Sequence, residues 1–207
     1  MNSWLRRLFV ALFAWPITRM LIGLHVRDPD RLPSRGPAII AANHNSHLDT
    51  LTLLSLFPLR LVPKVRPVAA ADYFLRNPML AWMSLNLIGI IPILRRVRKT
   101  DPLLACYDAL ERGEILIVFP EGSRGEPEQM SELKTGIAHL AERFPQVPVI
   151  PVFMHGLGLA LPKGEALLVP RFCDVHVGDA LYWRGGRDAL MCALQDFFNA
   201  LSERYRA

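Results

Sequence analysis

Ala38-Ile39-Ile40-Ala41-Ala42-Asn43-His44-Asn45-Ser46-His47-Leu48-Asp49 is the stretch on which the fold turns. Five apolar residues bounded by polar ones are too few for a helix and read as a strand buried on both faces. A polar loop follows, and Ser46-x-x-Asp49 then fits the start signal of a helix, with Ser46 as N-cap. Strand, short loop and helix in immediate succession are the beginning of a β-α unit. The pattern recurs: Ile115 to Phe119, Val147 to Phe153 and Asp174 to Val177 read as further strands. Helical patterns lie over about 48–57, 72–86, 101–112, 131–143 and 187–205. Such alternation predicts an α/β domain with a central, mostly parallel sheet flanked by helices. Ligands in such sheets bind beyond the strand carboxyl ends, where both His44 and Glu121 fall.

His44 and Asp49, five residues apart, suggest an acid/base pair. Imidazole titrates near neutrality, and a carboxylate on one ring nitrogen fixes the tautomer so that the other can accept a proton. A helix cap accounts for Asp49 on its own, but a cap needs no histidine. His47 fits a helix-surface position, and no zinc spacing arises from His44, His47 and Asp49. Phe119-Pro120-Glu121-Gly122-Ser123-Arg124 is a second polar site after an apolar run. Its glycine lets backbone approach a ligand and its guanidinium suits an anion, though a surface turn with a Glu–Arg pair fits the same residues. Gly89 to Arg95, continuing to Arg96, Arg98 and Lys99, again delivers cations after an apolar run.

With 207 residues the chain suffices for one domain with a full core; 51% hydrophobic residues, 21% charged residues and a net charge of +5 favour anionic partners and make membrane contact plausible. The cations are not interleaved with any nucleic-acid recognition spacing, so no nucleic acid is expected as a partner. Cys106, Cys173 and Cys192 show no paired or metal-ligand spacing and read as packing residues of a reducing compartment. No metal is expected.

Residues 1–27 are set apart as an amino-terminal amphipathic helical element, with 28–207 as the catalytic domain. Arg6, Arg7, Pro16 and Arg19 interrupt the apolar run from Trp4 to Leu24, which argues against a simple spanning helix. Arginines beside Trp4, Phe9, Phe13 and Trp15 suit an element lying in the membrane interface, and no small-residue cleavage site of a signal peptide follows. Packing against the domain is the plain alternative, and one face can pack while the other meets lipid.

Together the motifs resemble the glycerolipid acyltransferase family that includes 1-acylglycerol-3-phosphate acyltransferases, over about Pro37 to Val152. Asn43, His44 and Asp49 match its Asn-His-x-x-x-x-Asp block. Gly89, Ile93 and Arg95 match Gly-x-x-x-Ile-x-Arg, and Phe119 to Arg124 match Phe-Pro-Glu-Gly-(Thr/Ser)-Arg. Val147-Pro148-Val149-Ile150-Pro151 matches the fourth block, and Lys134 with Gly136 is similar to the Lys-x-Gly that follows the third. Pro92, Leu94 and Gly125 depart from common family residues in or beside the acceptor-binding blocks, and leave the acceptor open between lysophosphatidate and another lysolipid.

The resemblance implies an O-acyltransferase that moves a fatty acyl group from acyl-CoA or acyl carrier protein to a lysophospholipid hydroxyl, without a cofactor. His44 is then the general base and Asp49 its orienting partner. Arg95 and Arg124 are expected at the acceptor's phosphate, Glu121 at an acceptor hydroxyl or on Arg124, and Gly122 and Ser123 beside them as substrate-binding residues. Leu80 to Leu94 is expected as core, or as a wall of an acyl tunnel. Arg60, Lys64, Arg66, Arg96 and Arg98 are expected against acidic lipid headgroups. The expected location is the cytoplasmic face of the cell membrane, monotopic or peripheral.

Overall fold

A computed structural model describes residues 2–46, 48–94, 101–123, 129–160, 169 and 172–206. Among these, seven strands form one sheet in the order β1-β7-β6-β2-β5-β3-β4. They are β1 Gly23–Arg27, β2 Ala38–Ala42, β3 Val65–Ala70, β4 Ile91–Ile93, β5 Ile115–Val118, β6 Val149–His155 and β7 Phe172–Val177. Every pairing is parallel except β6 with β7. The mostly parallel α/β sheet expected from the sequence is therefore present, with β2 near its middle and one reversal toward β7.

Pleating sends alternate side chains of the central strands into two separate cores. Ala38, Ile40 and Ala42 of β2 and Ile115 and Ile117 of β5 face one core; Ile39, Ala41 and Leu116 face the other. The second face is covered by α5 (Leu104–Glu111), α6 (Gly136–Arg143) and the helix Arg187–Arg206. The first is covered by α2 (Leu48–Ser55) and by the amino-terminal helix α1 (Ser3–Phe9), which runs on through π-helical turns Val10–Ala14 and Ile17–Leu21. Val10 and Ala14 are fully buried there.

The boundary expected at residue 27 falls at the end of β1. Residues 23–27 are a strand pairing with β7, and the preceding helix completes the cover of one sheet face. Packing and exposure divide its circumference: Arg6, Val10, Ala14 and Thr18 are buried, while Trp4, Leu8, Leu12, Phe13 and Met20 are exposed. The helix expected over 72–86 is broken into α3 (Ala71–Phe74) and α4 (Pro78–Met83), followed by a π-helical turn Ser84–Ile88. Pro78 starts a new helix because its missing N–H is no loss at a first helical position, and the Asn77 side chain caps it by accepting from Leu80 N at 2.7 Å. The helix expected from 131 begins only at Gly136, since the backbone of Ser131 and Lys134 is engaged elsewhere.

Candidate active site

The site grows from the carboxyl end of β2. Asn43 is buried just past the strand, and its side-chain amide pairs with both backbone groups of Met154: Nδ2 donates to Met154 O at 2.8 Å and Oδ1 accepts from Met154 N at 2.7 Å. A side chain thereby extends the β2–β6 ladder by one rung and aims the chain into the loop. Helix α2 begins at Leu48, with Ser46 Oγ accepting from Leu48 N at 3.2 Å. Asp49 lies in its first turn, fully buried, and its Oδ2 accepts from Asn45 N at 2.6 Å and Ser46 N at 2.8 Å.

The same Oδ2 lies 2.8 Å from His44 Nδ1. An oxygen that already takes two backbone N–H groups is an acceptor, so Nδ1 carries the proton and Nε2 remains as the basic nitrogen. Helix start and His44–Asp49 pair are thus one arrangement using one carboxylate. Stacking on Phe119, with ring centroids 4.0 Å apart and planes 20° apart, holds the imidazole on its other flank.

Glu121 comes from the loop after β5, the strand beside β2. Its Oε1 accepts from His44 N at 2.7 Å and its Oε2 from Ser131 N at 2.8 Å, and only 1% of the residue is exposed. Burial pushes this carboxyl above its ordinary pKa, while the two backbone donors and His44 act in the other direction. Glu121, expected as a substrate-binding residue, is thus placed beside His44 with a backbone donor on each oxygen. Both oxygens hold backbone, and the residue fixes the loop that carries His44. Gly122 has φ +72°, and a Cβ there would stand 2.6 Å from Lys134 Nζ, so the lysine side chain lies over the glycine. Lys134 N donates to Pro120 O at 2.8 Å, which carries the Lys134–Gly136 tract to the site. Ser123 is exposed. Arg95 and Arg124 lie outside the described residues, as do His47, Arg96, Arg98, Lys99 and Gly125.

A cleft of about 600 Å3 opens beside His44. Its walls are mostly apolar and include Phe9, Leu51, Val68, Phe74, Leu80, Ile88, Ile90 and Ile93; Gly122 and Ser123 also border it. Four of the residues between Leu80 and Leu94 therefore line it. Phe9 was not foreseen as a wall, because its helix was read as a separate element. Two of the cations expected at lipid headgroups are placed elsewhere. Arg6 is buried within the fold, and Arg66 donates from Nε to Gly89 O at 2.7 Å and faces Glu114 at 3.2 Å.

A family model described as Acyltransferase matches residues 23–155. The chain is 28% identical over 171 residues to 1-acyl-sn-glycerol-3-phosphate acyltransferase BAT2, chloroplastic, of Brassica napus, covering 81% of this chain and 47% of the relative. It is 31% identical over 161 residues to 1-acyl-sn-glycerol-3-phosphate acyltransferase alpha of Mus musculus, covering 75% of this chain and 54% of the relative. The chain spans about half the length of these curated relatives. Among solved structures, the crystal structure of the 1-acyl-sn-glycerophosphate (LPA) acyltransferase PlsC from Thermotoga maritima matches with a TM-score of 0.80 at 21% identity, covering 97% of this chain and 80% of that one. That likeness shows a shared fold.

Proposed function

The chain belongs to the acyltransferase family, and from that premise we propose that it transfers a fatty acyl group from an acyl thioester to the hydroxyl of a lysophospholipid, 1-acylglycerol 3-phosphate, giving phosphatidate. The observation that carries this reading is the His44–Asp49 pair, at 2.8 Å, bordering a mostly apolar cleft of about 600 Å3. The cleft suits an alkyl chain, and His44 Nε2 suits the proton of a hydroxyl brought against the thioester carbonyl. His44 takes that proton as the acceptor oxygen attacks the carbonyl carbon. Asp49 Oδ2 stabilises the resulting imidazolium. When the tetrahedral intermediate collapses, the C–S bond breaks and the imidazolium returns its proton to the departing thiolate. The substrate supplies the nucleophilic oxygen, so no enzyme nucleophile takes part.

Arg95 and Arg124 are proposed at the acceptor's phosphate, joined by Lys134, whose ammonium lies over Gly122 at the cleft. The donor is acyl-CoA or acyl carrier protein. The protein is proposed to sit on the cytoplasmic face of the cell membrane through the interface. No helix among the described residues is long and apolar enough to cross a membrane. The exposed Trp4, Leu8, Leu12 and Phe13, with Met79, Trp82 and Met83 of α4, flank the segments that contribute Phe9 and Leu80 to the cleft.

The test is thiol release from a long-chain acyl thioester by the purified protein, with and without lysophosphatidate, against His44→Ala. Acceptor-dependent release lost in His44→Ala supports the reading. Acceptor-independent release replaces it with thioester hydrolysis, and release that survives His44→Ala removes His44 as the base.

A further inference from the structure

Helix α1 carries a buried charge that no step of acyl transfer uses. Arg6 is fully buried, and its guanidinium is held by backbone carbonyls: Nη1 donates to Pro63 O at 2.8 Å, and Nη2 to Val65 O at 2.6 Å and Ile88 O at 2.7 Å. Its Nε has no partner among the described residues. Burial, and next the proximity of Arg66, push its pKa down to about 10, with Glu114 acting against them. A buried guanidinium is expensive unless its bonds secure something.

What they secure is the cleft wall. Gly89 has φ +77°, and a Cβ on it would collide with the Arg6 guanidinium. Arg6 therefore lies directly on the glycine while holding the carbonyl of Ile88. Arg66 also donates to this segment, from Nε to Gly89 O at 2.7 Å and from Nη2 to Ile90 O at 3.4 Å. The carbonyls of residues 88–90 are thus held by two guanidinium groups, one of which arrives on α1. Ile88 and Ile90 line the cleft, and so does Phe9, one turn after Arg6 on the same helix. None of the hydrogen bonds that build the His44–Asp49 pair involves Arg6.

We propose that Arg6 is a positioning residue that locks α1 to residues 88–90, so that docking of the amino-terminal helix and formation of the apolar cleft are one event, separate from assembly of the acid/base pair. As a statement about acyl-chain binding it rests on the transfer reading above. As a statement about the cleft it stands by itself.

The experiment compares the full chain with Arg6→Met, Arg6→Lys and Thr18→Val. Thr18 belongs to the same helical element but bonds Ser55 Oγ at 3.2 Å, away from residues 88–90. Amide hydrogen exchange over residues 84–93 is measured alongside steady-state kinetics with a long-chain acyl thioester and micellar lysophosphatidate. For Arg6→Met the expected outcome is a KM for the thioester raised about tenfold with kcat within about threefold, the size of one lost charged hydrogen bond. Arg6→Lys falls between, Thr18→Val keeps the parent KM, and exchange at 88–91 accelerates only in the Arg6 variants. A kcat that falls with the folded fraction at constant KM, or an exchange pattern shared with Thr18→Val, overturns the proposal. If the parent protein transfers no acyl group, the transfer reading fails, and exchange alone decides the coupling. Should Arg6→Met not fold, Arg6→Lys carries the same comparison.

Discussion

Replacing Asp49 with Asn separates the two duties of its carboxylate. In the parent, Oδ2 receives Asn45 N, Ser46 N and His44 Nδ1 at 2.6, 2.8 and 2.8 Å. An asparagine turns its carbonyl oxygen toward these three donors, because its NH2 group there would face N–H groups. The helix start and the imidazole tautomer therefore survive. Two things are lost. The amide nitrogen takes the place of Oδ1, which is buried with no partner among the described residues, and an unpaired donor there costs about 1–3 kcal/mol of stability. The imidazolium formed during transfer also loses its counter-charge. A buried charge-assisted bond traded for a neutral one weakens that state by at most roughly 1.5–3 kcal/mol, or about 10–10² in kcat. Thiol release with saturating acceptor, run beside thermal denaturation, measures both. The expected result is a folded protein with its melting temperature lowered by several degrees, KM little changed and kcat reduced by that factor. A folded Asp49→Asn enzyme that keeps kcat within about threefold would refute the reasoning and reduce Asp49 to a helix cap.

Glu121→Gln offers one carbonyl oxygen to two N–H donors; it should lower kcat by about tenfold as the His44 loop loosens, without a matching change in KM, which the same assay reads. Gly89→Ala and Gly122→Ala both place a Cβ at positive φ, costing about 1–2 kcal/mol. Gly122→Ala also displaces the end of an exposed lysine, whereas Gly89→Ala strikes the clamped Arg6 guanidinium, so urea denaturation should rank Gly89→Ala as clearly the more damaging. Burial, and next Arg27, lower the pKa of His176, whose Nε2 lies 2.6 Å from the Tyr205 hydroxyl. The folded state thus favours the neutral ring. Its contribution is complete above the ordinary histidine pKa and is lost as pH falls through the lowered one, so acidification should destabilise the parent by more than it does His176→Gln in thermal melts.

Where the information is local, the sequence tells it. The bounds of β2 match the apolar run, and His44, Ser46 and Asp49 lie within six residues of one another, so cap and acid/base pair could both be named. The break at Asn77-Pro78 was also written in the chain, but the apolar periodicity over 72–86 outweighed it. The unrecognised strands had weak signals: β3 holds Arg66 and Pro67, β4 has three residues, and β1 is half exposed on alternate positions. The backbone bonds of Glu121 and Arg6 were not legible for a different reason. Their partners are backbone groups far away in the chain, at residues 44 and 131 for one and 63, 65 and 88 for the other. Spacing and composition carry no record of which distant carbonyl or N–H will turn toward a side chain.

The docking of α1 has a consequence for biosynthesis. The acceptors for Arg6 lie 57 to 82 residues downstream, and Val10 and Ala14 share a core with β6 and β7, which emerge later still. At ribosomal rates of about 5–20 residues per second, this helix leaves the exit tunnel roughly 4–16 s before Ile88 follows it. Throughout that interval its inward face is as bare as its outward one. Helix α1 is thus satisfied only once residues 63–88 have followed it, and until then its Arg6 face stays open to water, a bilayer surface or another protein.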